Sequence, residues 1–292
     1  MPQSFTLRSS AIPANDVSGK PVVLVSGAGG NIGSVFAEHG QSKYDLRLMV
    51  RDAGDAGDVD PIRRFGQIVE ADLINLDQLK EVCQGVDTVV HLAGDPEPNA
   101  TWDSLLQANI IGTYNLMVAA KSAGVRLVIH ASSIHAVGGY GPGHQSHTAE
   151  PANPGDLYGV SKCFGEALGR YMAEQEGMSV ISLRIGAFQP RSSLEKKEGV
   201  AIADSWISPR DMNQMLDRCI AARHVCWGVF NALSDNTFNR LDISDAREVL
   251  GYTPQDNGFE VVPGLGEYRI DEKLMEHSLE DDFAKSGLRE DV

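Results

Sequence analysis

The stretch that most constrains this chain is Val22–Ser26 (VVLVS), which runs straight into Gly27-Ala28-Gly29-Gly30-Asn31-Ile32-Gly33. A short β-branched run, apolar on both faces, reads as a strand buried in a parallel sheet. Gly27, Gly30 and Gly33 give a GxxGxxG spacing, and a helical stretch follows through about His39. Such a junction lets the chain turn tightly, lets a pyrophosphate reach the backbone and lets helix pack on strand. The helix then offers unpaired N–H groups and its positive end to the phosphates. Gly27, Gly30, Asn31, Ile32 and Gly33 are therefore a candidate cradle for a dinucleotide.

The rest of the chain supports that reading by alternation. Strand-like runs at Leu46–Val50, Gln67–Val69, Thr88–Leu92, Leu127–Ala131 and Val180–Ile185 are separated by helical stretches at about 75–83, 101–123 and 157–176. This order predicts an α/β fold, a Rossmann-type doubly wound parallel sheet with a small C-terminal substrate-binding region. After Ile185 the rhythm weakens: a polar loop leads to helices near Pro209–Ala222 and Ser244–Leu250, with a strand at Val225–Asn231 between them. The predicted organisation is a disordered tail over 1–20 and a dinucleotide-binding domain over 21–185. A substrate-binding lid over 186–275 and a charged tail over 276–292 follow. A weak transit segment is the alternative for residues 1–20, which are Ser-rich and contain an Arg.

Charge and composition remove other classes. The 292 residues carry 40 acidic and 25 basic side chains, a net charge of −15, which repels phosphate backbones and argues against a nucleic-acid partner. No apolar run approaches the roughly 20 residues of a membrane helix. Four cysteines, Cys83, Cys163, Cys219 and Cys226, have neither paired zinc spacing nor a CxxC motif; they suit a reduced, cytoplasmic setting, and no metal site is expected. His144 and His147, in a GPGHQSH loop, read as solvent-exposed rather than metal-binding.

Tyr158-Gly159-Val160-Ser161-Lys162 sets a tyrosine and a lysine four apart at a helix start, hence on one face. Ser133 lies 25 residues earlier, just past the fifth strand. Oxidising an alcohol requires removal of the hydroxyl proton as hydride leaves carbon, and a tyrosine of pKa near 10 is a poor base at neutral pH. A lysine ammonium and a cationic nicotinamide would both favour tyrosinate; about three units of pKa correspond to ~4 kcal/mol. Ser133, Tyr158 and Lys162 are the candidate catalytic set, with Ser133 holding the substrate oxygen. At the end of the second strand, Arg51-Asp52 points both ways, the acid toward NAD and the arginine toward NADP; NAD is favoured slightly. Asp72, after the third strand, is placed to meet adenine, and Leu92, Ala93 and Gly94 to line the sugar and phosphate side; His91 reads as structural.

These residues together resemble the extended short-chain dehydrogenase/reductase family over about Pro21 to Asn257. The resemblance rests on Gly27–Gly33, Asp72-Leu73, His91–Gly94, Asn109, Ala131-Ser132-Ser133 and Tyr158–Lys162. It implies that Lys162 also binds the nicotinamide ribose, that Asn109 is a helix asparagine near it, and that Leu73 and Ile185 join the cofactor contacts. It also implies a homo-oligomer, with helices near Thr101–Ala123 and Leu157–Glu176 as contact surfaces.

Finer wording narrows the branch. His91–Pro96, Trp102-Asp103-Ser104, Asn109–Thr113, Leu157–Glu166 (LYGVSKCFGE), Arg184-Ile185-Gly186 and Leu250-Gly251-Tyr252 are similar to uronate dehydrogenases and archaeal NAD-dependent glucose-6-phosphate dehydrogenases. The resemblance implies oxidation of a sugar C1 hydroxyl to a lactone. Ile134-His135 follows the serine where dehydratases carry an acidic pair, and only about 80 ordered residues after Ile185 suit a small substrate. Against the usual Ser-Ser-Asn-His this chain has Ser132-Ser133-Ile134-His135, and Ala187 stands where uronate dehydrogenases have a serine. His135 is a candidate substrate contact. A cation for the sugar's carboxylate or phosphate is expected from Arg191, Lys196 or Lys197, with Arg191 preferred. A sugar epimerase, and more remotely a non-catalytic dinucleotide sensor, are the alternatives.

Overall fold

A computed structural model describes residues 4–8, 19–141 and 143–264. Its strands are β1 (Phe5–Leu7), β2 (Val22–Ser26), β3 (Asp45–Val50), β4 (Gln67–Glu70), β5 (Thr88–His91), β6 (Leu127–Ser133), β7 (Ser179–Ile185), β8 (Ala187–Phe188), β9 (Trp206–Ile207) and β10 (Val225–Ala232). The helices are α1 (Asn31–Gly40), α2 (Ala56–Val59), α3 (Leu76–Val82), α4 (Trp102–Leu105), α5 (Gly112–Ser122), α6 (Leu157–Glu174), α7 (Arg191–Leu194), α8 (Pro209–Ala221) and α9 (Ser244–Leu250).

Eight strands form one sheet in the order β1-β10-β7-β6-β5-β2-β3-β4. All its pairings are parallel except β1 on β10. Burial on both faces explains the continuous apolar runs: every residue of β5 and β7 is buried. One face packs Phe36 of α1 and Met212, Met215 and Leu216 of α8 against Val25, Leu48 and Ile181. The opposite face packs Leu79 of α3 and Leu116 and Met117 of α5 against Leu24, Val89 and Val128. The chain reverses its direction of travel between β2 and β5, the switch point beyond whose carboxyl ends such folds bind ligands.

Three expectations need revision. Phe5–Leu7, read from sequence as part of a disordered tail, pair with β10, and Phe5 stacks on Phe230 with ring centroids 6.1 Å apart. Three residues are too short a run to register as a strand, and only the waiting edge of β10 gives them partners. The lid read over residues 186–275 also divides, because β10 extends the main sheet beside β7 while β8 and β9 form a separate two-stranded ribbon. Finally, the single helix expected over 101–123 is interrupted by a π-helical segment, Leu106–Ile111. Residues 276–292 lie outside the described part of the chain.

Candidate active site

The carboxyl ends of β2, β5, β6 and β7 open on a cleft of about 590 Å³. Its walls bring together Gly27, Gly30, Asn31, Ile32, Gly33, Leu92, Ala93, Gly94, Ser133, His135, Tyr158, Lys162 and Ile185, residues that lie far apart in sequence.

The glycine turn fits a pyrophosphate. Gly27 has φ +68°, and a Cβ there would sit 2.8 Å from the Ala93 nitrogen. At Gly33 a Cβ would come 2.3 Å from the Gly27 carbonyl oxygen, so only glycine lets α1 seat on the turn. Gly30 caps α1 without a side-chain hydrogen bond, and the first turn carries no acidic residue. The helix start is thus bare backbone N–H at the cleft, suited to an anion.

The opposite wall is the start of α6. Asp156 caps it, its Oδ1 accepting from the Gly159 N–H at 2.6 Å. One turn then carries Tyr158 and Lys162 on the same face, with the Lys162 Nζ 5.3 Å from the Tyr158 ring centroid. Ser133, the last residue of β6 rather than the residue after it, meets Tyr158 in a side-chain hydrogen bond. Asn109 is buried one layer behind: its Nδ2 donates to the Asp95 carbonyl and the Ser161 Oγ, both at 3.0 Å, and its Oδ1 accepts from the Asp95 N–H at 2.8 Å. Ser161 in turn donates to the Tyr158 carbonyl at 2.7 Å. Asn109 therefore braces the catalytic helix instead of lining the cleft. The π segment that holds it widens the helix at that point.

Burial dominates the titration of these groups. It pushes the Tyr158 phenol up to about 12; the hydrogen bond with Ser133 opposes this, while the charges of Asp156, Asp95 and Glu97 add to it. Burial also brings Lys162 down to about 8, against the pull of Asp95. Desolvation thus outweighs the surrounding polar groups, and the lowering expected from Lys162 and a cationic nicotinamide has to work against it. His91 is held down to about 3 by burial and then by Lys162; its Nδ1 meets Ser26 Oγ at 2.8 Å and its Nε2 meets Thr113 Oγ1 at 3.2 Å, a structural role.

Other expected contacts lie elsewhere. Arg51 and Asp52 are exposed beyond β3, and Asp52 Oδ1 accepts from the Gly54 N–H at 2.8 Å. Asp72 Oδ1 accepts from the Ile74 N–H at 3.1 Å in a separate surface hollow, and Leu73 packs under Gly112. Arg191 does not line the cleft: it opens the short helix α7, faces solvent and lies 3.7 Å from Glu195. Lys196 is likewise exposed. Besides Lys162, the cleft is lined by Arg240, its Nε 2.8 Å from the Asp204 carboxylate, in a pair only 11% and 4% exposed. Nothing local marked Arg240, because it reaches the cleft from beyond β10, some 50 residues past the loop expected to supply the charge. Gln189, Ser205 and Glu97 also line the cleft and were not singled out from the sequence. His144 pairs with Glu150 at 2.9 Å and stacks on Tyr140, and no cluster of three metal-binding side chains occurs among the described residues. None of the described helices is long and apolar enough to cross a membrane.

This sheet order, glycine turn and Tyr–Lys pair define a dinucleotide-binding protein of the doubly wound class. Residues 23–192 match the NAD dependent epimerase/dehydratase family, and the chain belongs to it. It is 37% identical over 251 residues to the NAD-dependent glucose-6-phosphate dehydrogenase of Haloferax volcanii, across 82% of this chain and 94% of the relative. It is 33% identical over 259 residues to the L-arabinose 1-dehydrogenase (NAD(P)(+)) of the same organism, across 82% and 98%. The uronate dehydrogenase of Agrobacterium tumefaciens, solved as a mutant complexed with NAD, superposes with a TM-score of 0.72 at 30% identity, across 83% of this chain and 87% of that one.

Proposed function

We propose that this protein is an NAD-dependent sugar dehydrogenase that oxidises the C1 hydroxyl of a uronic acid, hexose phosphate or related aldose to the lactone. The observation that carries the reading is the convergence of Tyr158, Lys162 and Ser133 on the cleft that also holds the bare glycine turn. Bound in this cleft, NAD would supply the hydride acceptor for the oxidation of C1. Gly27, Gly30, Asn31, Ile32 and Gly33 would hold its pyrophosphate, and Lys162 its ribose.

The remaining chemistry falls to the chain. Ser133 orients the sugar oxygen and Tyr158 Oη receives its proton, so the C–O bond gains its second bond as C1 loses hydride. Tyr158 takes that proton as the phenolate: burial opposes its ionisation, a positive charge brought close supplies the stabilisation an ionised phenol needs, and its own proton leaves to solvent. Lys162, protonated at neutral pH even when brought down to about 8, contributes part of that charge.

The relatives' names support a sugar substrate, and their acids, phosphate ester and plain pentose leave its charge to be measured. The test is NAD reduction on a panel of aldoses, uronates and sugar phosphates. Tyr158→Phe should lower kcat by about 10²–10⁴-fold, the usual worth of a positioned base, with NAD affinity nearly unchanged. Turnover that survives in that variant removes Tyr158 from its role.

A second copy of the chain is the proposed partner. Trp102, Tyr114, Val160 and Tyr171 are 43–51% exposed on α4, α5 and α6, a large apolar display for a free surface. Trp102→Asp with Tyr114→Asp should convert a dimer to a monomer in sedimentation; a wild-type monomer would end this proposal.

A further inference from the structure

One carboxylate near the reacting groups has no part in the scheme above. Asp156 is buried, its side chain 1% exposed, and both of its oxygens are engaged. Oδ1 accepts from the Gly159 N–H at 2.6 Å, and Oδ2 lies 2.6 Å from His135 Nδ1. The two segments it joins are already in close contact: a Cβ at Gly159 would fall 2.2 Å from the His135 carbonyl oxygen. The His135 ring stands edge-on to Tyr158, centroids 5.3 Å apart at 76°, and lines the cleft.

A buried carboxylate can only accept, so the nitrogen facing it carries the proton. We propose that Asp156 is a positioning residue, which ties the start of the Tyr158 helix to His135 and fixes that ring as its Nδ1–H tautomer. Nε2 is then a hydrogen-bond acceptor, and the group it suits is a donor hydroxyl of the sugar. This rests on the sugar-oxidising reading of the cleft. It explains why an Asp is suited to a cap position where Ser, Thr or Asn would also serve the helix. Only the carboxylate accepts on both sides at once.

The test is Asp156→Asn, alone and combined with His135→Ala. An Asn side chain still caps Gly159 through its oxygen, but then turns its NH₂ toward His135 and demands the opposite tautomer. Ring ¹⁵N NMR of His135 should report Nδ1–H in the wild type and Nε2–H in the variant. The sugar kcat/KM should fall about tenfold, the worth of one good hydrogen bond, with NAD affinity unchanged. In the His135→Ala background, Asp156→Asn should cost less than about twofold. Asp156→Ser, which caps but is too short to reach His135, should lose sugar turnover in the same way. An unchanged tautomer, or an equal loss with and without His135, overturns the proposal. A wild-type protein inert toward every sugar would overturn the reaction instead, and the ring measurement would still decide the part of Asp156.

Discussion

The two ends of the cleft are built differently. The cofactor end is made by local sequence: Gly27, Gly30 and Gly33 lie within seven residues, and the contacts that force Gly27 and Gly33 to be glycine are backbone atoms of the turn itself or of the adjacent strand end. The substrate end is made by convergence, with His135 from the turn after β6, Gln189 from beyond β8, Ser205 from before β9 and Arg240 from beyond β10. A motif can encode the first kind of site. The second depends on how distant segments fold back together, and its charges are held by partners rather than by spacing.

The largest test of that contrast compares the two arginines. Arg240→Ala should destabilise the fold by about 3–5 kcal/mol in chemical denaturation, because it leaves the buried Asp204 carboxylate without its cation. Arg191→Ala should change stability by less than about 0.5 kcal/mol and leave the sugar KM as it was. Equal effects from the two would erase the distinction drawn here.

A smaller test lies beneath the cofactor end. His91 and His130 are fully buried and held neutral, His91 down to about 3 and His130 well below its usual value, by burial and then by the Lys162 charge. The unfolded chain takes up protons on both below pH ~6.5, whereas the folded chain does not. Their contribution is therefore complete above about pH 6.5 and is lost as pH falls from there toward 3. Each should remove up to about 1.4 kcal/mol per pH unit over that interval. The thermal midpoint should drop steadily between pH 6.5 and 5; an unchanged midpoint would mean that both rings take up protons in the native state.

Legibility followed the same division. The sheet was readable because β2, β5 and β7 are buried on both faces and so show as unbroken apolar runs. The Tyr158–Lys162 pair was readable because a helix start fixes which residues share a face. Asn109 was readable as a neighbour of the lysine, but its depth was not, since the π segment that sets it back leaves no periodic signature. Arg191 was a reasonable expectation for an anion-binding loop, yet α7 turns it to solvent toward Glu195. The Ser132–Glu166–Arg184 network behind the catalytic serine went unread altogether. Its members meet at 2.6–2.9 Å only because β6, α6 and β7 are stacked.

The three residues Phe5–Leu7 have a consequence beyond the site. They occupy the outer hydrogen-bonding margin of β10, reinforced by the Ser4 carbonyl accepting from the Val229 N–H at 2.8 Å and the Arg8 N–H donating to His224 at 2.8 Å. With that short strap in place the edge on this side is three residues long instead of the eight of β10. Trimming the first eight residues should lengthen the open edge to the whole of β10 and raise self-association, so a segment outside the cleft would guard the chain against its neighbours.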